Sequence, residues 1–193
     1  LQNDVLVDNR KEFRMDKLTF HCPGCMEELE IGIKKCPLCG FSIEEYEKEG
    51  NKRALRPGTI LGGRYEMGRE LGGGGFGITY LAWDREDKCK VAVKEYFPWE
   101  FAYRNIENDG EIQIRGKEEQ EGYEKGLRDF IREGTILEQV GRMKGIVPVR
   151  KFFREKKTAY LVMDYISGMN LKEYMEKEGR IFREAELLEK IKP

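Results

Sequence analysis

A glycine-rich segment, followed by a strand that ends in lysine, constrains the fold of this chain most. Five of the six residues from 72 to 77 are glycine, and the apolar stretch 91–93 leads directly into Lys94. Glycine weakens an ordinary strand because it costs backbone entropy and has no side chain to pack. Such a segment is useful where the backbone must approach another group closely. Phosphate oxygens are the usual group, and a lysine one strand later supplies the countercharge.

The overall composition gives no indication of a nucleic-acid or membrane partner. The 193 residues include 35 basic and 36 acidic side chains, for a net charge of −1. No apolar run approaches the roughly 18 residues that span a bilayer, and the N-terminus does not resemble a signal peptide. We therefore expect a cytoplasmic protein without a membrane segment. Because His21 is the single histidine, a multi-histidine metal site is impossible, and a serine–histidine or cysteine–histidine nucleophile pair is not expected.

Composition divides the chain into zones. Residues 1–19 form an N-terminal tail, of which 1–14 is expected to be poorly ordered sequence of artificial or upstream origin. Residues 20–43 carry four of the five cysteines, and residues 44–57 form a charged linker. A globular pattern begins after the linker.

The globular part alternates mainly between strands and turns. The order is three strands, one helix, two strands and two short helices, which predicts an antiparallel sheet of the α+β class. A small hairpin is possible around residue 109. The predicted strands are 65–71, 77–83, 90–96, 147–153 and 158–164, and the predicted helices are 117–140, 171–177 and 183–191.

Four cysteines are paired in a pattern typical of zinc sites. The sequence has C-x2-C, a spacer of ten residues and a second C-x2-C, so each pair can form a tight knuckle with two thiolates on one ion. Two disulfides or unpaired thiols are the alternatives, and a reducing cytoplasm and the paired spacing argue against both. Four thiolates leave no open position, so the site would be structural, and His21 is interpreted as a bystander. The predicted ligands are Cys22, Cys25, Cys36 and Cys39.

The glycine segment fits neither common nucleotide-binding loop that precedes a helix. The residues after it, 78–83, have the pattern of a strand, whereas a dinucleotide fold requires a helix there. A P-loop requires Gly-Lys-Ser/Thr, which is absent. With Val-Ala-Val-Lys at 91–94, the segment resembles the amino-terminal lobe of a protein kinase, and residues 61–65 and 94–98 are similar to bacterial serine/threonine kinases.

This resemblance covers about residues 57–193 and implies a fold and a division of the chain. The expected fold is α+β, with a small zinc ribbon before a kinase-like lobe that has a five-stranded antiparallel sheet and one main helix. The lobe would occupy residues 58–165. Residues 166–193 would be the hinge and the first helices of a second lobe.

The resemblance also implies the roles of individual residues. Lys94 would reach the α- and β-phosphates of ATP, and Glu133 in the helix would pair with it, although a solvated helix glutamate is the alternative. Strand alternation places Ala92 on the face of Lys94, over the adenine. Met163 would lie behind the adenine, and backbone groups of Asp164 and Ile166 would bind its edge. The implied nucleotide-binding residues are Leu71, Gly72, Gly73, Gly74, Gly75, Phe76, Gly77, Thr79, Ala92, Lys94, Met163, Asp164 and Ile166.

Three kinase motifs are missing from these 193 residues, namely His-Arg-Asp, Asp-Phe-Gly and Ala-Pro-Glu. Phosphoryl transfer needs the aspartates of the first two motifs, together with an asparagine, to hold magnesium and orient the hydroxyl. We therefore expect an ATP-binding lobe of a serine/threonine kinase that is inactive by itself, with magnesium ligands mostly elsewhere. The alternative is a pseudokinase-like scaffold whose ribbon recruits a partner protein. Nucleic-acid binding is disfavoured, because residues 20–43 carry two lysines against three glutamates.

Overall fold

The structure is a computed structural model that describes residues 18–49, 51–105, 108–141 and 143–191. The expectations for residues 1–14 lie outside the described residues. The chain forms ten strands and four helices within these ranges. In order they are β1 (Thr19–His21), β2 (Glu28–Glu30), α1 (Ile43–Glu49), β3 (Ile60–Leu61), β4 (Tyr65–Gly74), β5 (Gly77–Asp84), β6 (Cys89–Tyr96), β7 (Ala102–Asn105), β8 (Glu111–Ile114), α2 (Lys117–Val140), β9 (Val149–Glu155), β10 (Thr158–Asp164), α3 (Leu171–Glu178) and α4 (Glu184–Ile191).

The main sheet is antiparallel, and its order is β3-β4-β5-β6-β10-β9. The predicted α+β class is confirmed. The sheet has six strands rather than the expected five, because the two-residue strand β3 pairs with the start of β4. A strand this short carries no periodicity that a sequence pattern can detect.

Two further differences concern segments between the predicted elements. Residues 43–49, at the start of the charged segment, form the helix α1. The possible hairpin near residue 109 is present as β7 and β8, which form a separate two-stranded sheet. The segment boundaries that composition suggested remain predictions.

Alternation along the strands gives the main sheet two different faces. On the face that we call outer, Val91, Val93 and Glu95 of β6 are all fully buried. Ala92 and Lys94 point to the opposite face, which we call inner. The outer face is covered by residues 54–55 and by the β7–β8 hairpin, while α2 packs on the inner face beside Tyr96 and Leu161.

A second, small apolar cluster lies in the cysteine segment. Cys22, Leu29 and Cys36 are buried there, with Phe20 and Phe41 packed against them. The β1–β2 hairpin and the two cysteine pairs surround this cluster. We call residues 20–43 the ribbon. Its cluster is much smaller than the core of the main sheet, so the ribbon has little apolar surface with which to stabilise itself.

Candidate functional site: a glycine hairpin and the face beneath it

The glycine segment is a β-hairpin. Strand β4 ends at Gly74 and β5 begins at Gly77, and these two residues are paired across the turn. The exposed ring of Phe76 stands at the tip with 80% of its surface accessible. A Cβ added at Gly72, Gly74 or Gly75 would meet nothing within 4 Å, whereas one at Gly77 would overlap the carbonyl oxygen of Glu95. The hairpin therefore offers open backbone at its tip and is packed tightly at its base.

The strand register brings several predicted nucleotide-binding residues onto the inner face. Thr79 lies opposite Lys94, and Ala92 lies between Leu81 and Met163 on the two neighbouring strands. Directly opposed residues of antiparallel strands point to the same face. The structure thus places Thr79, Ala92, Lys94 and Met163 together beyond the base of the hairpin, and Leu71 is half-buried in β4.

Lys94 and Glu133 are not brought together. The Nζ atom of Lys94 lies 5.7 Å from the centre of the Phe130 ring, and Glu133 is exposed on α2. Within the described part of the chain, no ion pair joins these two residues. Phe130 and Gly134, four residues apart, occupy the side of α2 that faces the sheet. Glu133 lies about 100° around the helix from Gly134, at the edge of the side that faces the sheet, and its side chain is exposed.

The hinge residues lie at the end of β10. Asp164 is the last residue of the strand, and its backbone N–H donates to the carbonyl of Pro148 at 3.1 Å. The Asp164 side chain accepts a hydrogen bond from Arg150, which also donates to the Cys89 sulfur at 3.1 Å. The hydrogen bond to Asp164 raises the pKa of the Arg150 guanidinium. Burial acts in the opposite direction but is the smaller effect. Ile166 follows the strand and is exposed.

Sequence reasoning missed a buried charge directly next to Lys94. Glu95 points to the outer face, where its carboxylate accepts hydrogen bonds from Tyr80 and Tyr160 at 2.8 and 2.9 Å. Arg104 donates to the same carboxylate at 2.6 Å. Burial raises the pKa of both tyrosines well above the ordinary value, so both phenols remain donors. The sequence did contain a signal for this burial. Glu95 alternates in phase with Val91 and Val93, and a charged residue at such a position is buried and requires partners.

The four cysteines form one cluster. The Sγ atoms of Cys22 and Cys39 are 3.7 Å apart and those of Cys25 and Cys36 are 3.8 Å apart, and all four lie within 4.8 Å of one another. A zinc ion bound tetrahedrally at about 2.3 Å from each sulfur separates the sulfurs by about 3.8 Å. The spacing and the donor set therefore fit zinc. All four cysteines are free thiols here, and no disulfide joins the described cysteines.

The four thiols differ in their surroundings. Burial raises the pKa of Cys22 to about 12. Burial acts in the same direction on Cys36, but backbone N–H groups of Cys39 and Leu38 and the neighbouring thiols outweigh it and lower its pKa to about 7. His21 is not part of the cluster. Its Nδ1 lies 3.0 Å from a carboxylate oxygen of Glu66, and its ring stacks on Trp83.

The described part of the chain contains no helix that is both long enough and apolar enough to cross a lipid bilayer.

Comparison with known proteins agrees with this architecture. The family model for the protein kinase domain matches residues 65–192. CBL-interacting protein kinase 14 of Oryza sativa is 28% identical over 124 residues, which are 64% of this chain and 24% of the relative. The serine/threonine-protein kinase PrkC of Bacillus subtilis is 31% identical over 122 residues, 63% of this chain and 16% of the relative.

A solved structure, titled PpkA-294 apo form, has a similar fold. Its TM-score is 0.61 at 32% sequence identity, and the similarity covers 66% of this chain and 44% of that chain. The chain spans about a quarter or less of the length of the two curated relatives. Because the kinase-domain model matches about two thirds of the sequence, from the first long strand of the sheet to the last helix, this chain belongs to the protein kinase family.

Proposed function

We propose that this chain is the ATP-binding lobe of a serine/threonine protein kinase, whose complete form transfers the γ-phosphate of ATP to serine or threonine hydroxyls of a protein substrate. The observation that carries the proposal is the shared inner face of Thr79, Ala92, Lys94 and Met163, next to a glycine hairpin with open backbone. Apolar contacts above the adenine and a fixed cation near the phosphates are the two requirements of such a lobe.

The roles of the chain's own groups follow from their positions. The backbone N–H groups of Gly72, Gly74 and Gly75 would donate to phosphate oxygens, because the space that a side chain would occupy at these positions is open. Lys94 would supply positive charge from the centre of the sheet. Met163 and Ala92, paired across β10 and β6, would form the apolar surface for the base. Magnesium would neutralise the phosphates, and we propose that its protein ligands come from elsewhere in the kinase.

We also propose that the 193 residues alone do not transfer phosphate, because the sequence contains neither His-Arg-Asp nor Asp-Phe-Gly. We expect no incorporation of labelled phosphate into a generic protein substrate by the pure chain. Measurable incorporation that is lost in Lys94→Ala would overturn this part of the proposal.

Nucleotide binding by the chain can be tested by NMR. We expect millimolar Mg-ATP to shift the amide signals of residues 72–77 and Ala92, with weak affinity, since a dissociation constant of 1 mM corresponds to only about −4 kcal/mol. The Lys94→Ala variant should lose most of this response, and Lys125→Ala, which removes an exposed lysine of α2, should keep it. An equal response in Lys94→Ala would contradict the assigned role. A thermal shift as large as that of a complete kinase would contradict the weak affinity.

A pseudokinase-like scaffold is the second candidate, and the separation of Lys94 from Glu133 favours it. In that case the lobe would hold the ribbon in position for a partner protein without binding nucleotide productively. The same titration separates the two candidates. A scaffold of this kind predicts no response of residues 72–77 to Mg-ATP, whereas the ATP-binding lobe predicts one.

For the ribbon, we propose one structural zinc ion held by Cys22, Cys25, Cys36 and Cys39. The sulfur spacing described above supports this, and the ion would supply the folding energy that the small apolar cluster cannot. Elemental analysis of freshly purified chain should give about one zinc per molecule. A metal-free preparation with a folded ribbon would overturn the assignment.

A further inference from the structure

The first cysteine pair is packed directly against the strand that leads into the glycine hairpin. The carbonyl of Pro23 accepts a hydrogen bond from the backbone N–H of Arg69 in β4 at 2.8 Å. The Arg69 side chain donates in turn to the carbonyl of Gly24 at 3.0 Å. We call residues 22–26 the first knuckle. The carbonyls of the two residues between its cysteines are thus both bound to Arg69 of β4.

Gly68 allows this contact. A Cβ added at Gly68 would lie 2.5 Å from the Pro23 carbonyl oxygen and closer still to the terminal methyl of Met26. Met26 itself is 2% exposed. The knuckle therefore fills the space in which any other residue at position 68 would place its side chain.

Two more contacts, made with β5 and β6, hold the ribbon on the inner face. The ring of His21 stacks on Trp83 with ring centres 4.6 Å apart, and Glu27 forms an ion pair with Lys90 at 2.6 Å. Trp83 and Lys90 are directly opposed on β5 and β6, two residues from Leu81 and Ala92 respectively. The ribbon therefore covers one end of the inner face. The proposed nucleotide site occupies the middle of that face.

The next amide of β4, that of Glu70, is also hydrogen-bonded, in this case to a side chain of α1 that packs on the ribbon. The backbone N–H of Glu70 donates to the hydroxyl of Tyr46 in α1 at 3.0 Å, and the Tyr46 ring packs against Phe41 of the ribbon. Strand β3 covers only the start of β4, so Arg69 and Glu70 lie at an edge that none of the described strands pairs. Unpaired edge groups are mobile and exchange readily unless something covers them.

We propose that metal binding by the ribbon fixes the base of the glycine hairpin, so that nucleotide affinity depends on metal occupancy. This inference rests on the proposed nucleotide site and adds its regulation. Loss of the metal removes the main stabilisation of the knuckle and frees Pro23 and Met26 from β4. The glycine hairpin, which begins two residues after Glu70, then loses a rigid base and pays a larger entropy cost when it closes on phosphates.

Hydrogen–deuterium exchange measures this coupling without using nucleotide. In the zinc-loaded chain the amides of Arg69 and Glu70 should be protected, and chelation should speed their exchange roughly tenfold or more, since each loses one hydrogen bond. Gly68→Ala should give the same acceleration while elemental analysis still finds the zinc. Gly122→Ala is the matched control, because an added Cβ there makes only ordinary contacts with Phe101.

Each outcome decides the proposal. Unchanged exchange at Arg69 and Glu70 after zinc is lost, or in zinc-loaded Gly68→Ala, overturns it. If Gly68→Ala does not fold, Met26→Ala removes the same contact without a clash and should give a several-fold acceleration. In a separate titration with Mg-ATP, the zinc-free chain, from which the chelator has been removed, should respond more weakly than the zinc-loaded chain. If neither responds, the proposed function fails for this chain, and the exchange rates still report whether metal and β4 are coupled.

Discussion

At the scale of single residues, the buried carboxylate of Glu95 is the most consequential group outside the proposed site. It is fully buried and binds Arg104, Tyr80 and Tyr160. Burial opposes the charge of Arg104, yet the Glu95 carboxylate outweighs this effect and raises the pKa of the guanidinium. Arg104 also donates to the carbonyls of Arg53 and Gly110. One buried ion pair therefore joins the sheet, the β7–β8 hairpin and the segment before β3.

We expect Glu95→Gln to destabilise the chain by about 3–5 kcal/mol, because Arg104 would remain buried without a counter-ion. Urea unfolding measures the loss. Glu100 is exposed in the turn after β6, and Glu100→Gln, the matched control, should change stability by less than about 0.5 kcal/mol.

The double variant Glu95→Gln with Arg104→Met tests the reason for that loss, because the glutamine carbonyl can still accept hydrogen bonds from Tyr80 and Tyr160. Replacing both charges removes the unpaired group, so the double variant should recover much of the lost stability, as is common for buried pairs. A double variant less stable than Glu95→Gln would show that the unpaired charge is not the cause.

The sequence allowed part of this to be predicted. The phase of Glu95 with Val91 and Val93 indicates a buried carboxylate, because alternation is a local property of one strand. Its partner Arg104 belongs to a different sheet, and Tyr160 is 65 residues away along the chain. Such pairings depend on tertiary packing, which no periodicity encodes. In the same way, the cysteine spacing predicted a cluster but not the side of the sheet on which Met26 and Pro23 would lie.

At the scale of elements, the orientation of α2 about its own axis decides what Lys94 meets. The helix begins and ends where the sequence predicts, at Lys117 and Val140. Its rotation was not predictable, because Glu133 borders an apolar stripe and a small turn of the helix changes little burial. Phe130 and Gly134 face the sheet, and a Cβ added to Gly134 would overlap the Leu161 side chain. The small residue thus allows α2 to lie close to β10.

This orientation predicts that two substitutions close together on α2 differ greatly in their effect on stability. Phe130→Ala should cost about 3–5 kcal/mol, since the ring is buried against Tyr96 and lies over Lys94. Glu133→Gln should change stability by less than about 0.5 kcal/mol, because the side chain is exposed and has no ion pair with Lys94. Thermal unfolding of both variants checks the difference. A loss of more than about 1 kcal/mol in Glu133→Gln would show that Glu133 is paired in solution.

At the scale of the whole molecule, the described residues form two apolar cores of unequal size, which contact each other at several places on the inner face of the sheet. The main core extends over both faces of the six-stranded sheet, and the ribbon has a small cluster around Cys22 and Cys36. We expect the larger core to fold without the smaller one, and the smaller one to depend on the proposed zinc ion. The contact at Gly68 and Arg69 makes the stability of the sheet sensitive to the state of the ribbon.

Removal of the metal should therefore unfold the ribbon and leave the sheet folded but less stable. A strong chelator should abolish the NMR signals of residues 20–43 in their folded positions, while the far-ultraviolet circular dichroism of the sheet persists. Losing the buried contact of Met26 and the hydrogen bonds to Arg69 should cost the sheet about 3 kcal/mol, which lowers its melting temperature by about 6–12 °C. Adding zinc should restore both. Complete unfolding of the sheet by chelation alone would show that the two cores are not separable, and an unchanged melting temperature would show that the docking contact carries no stability.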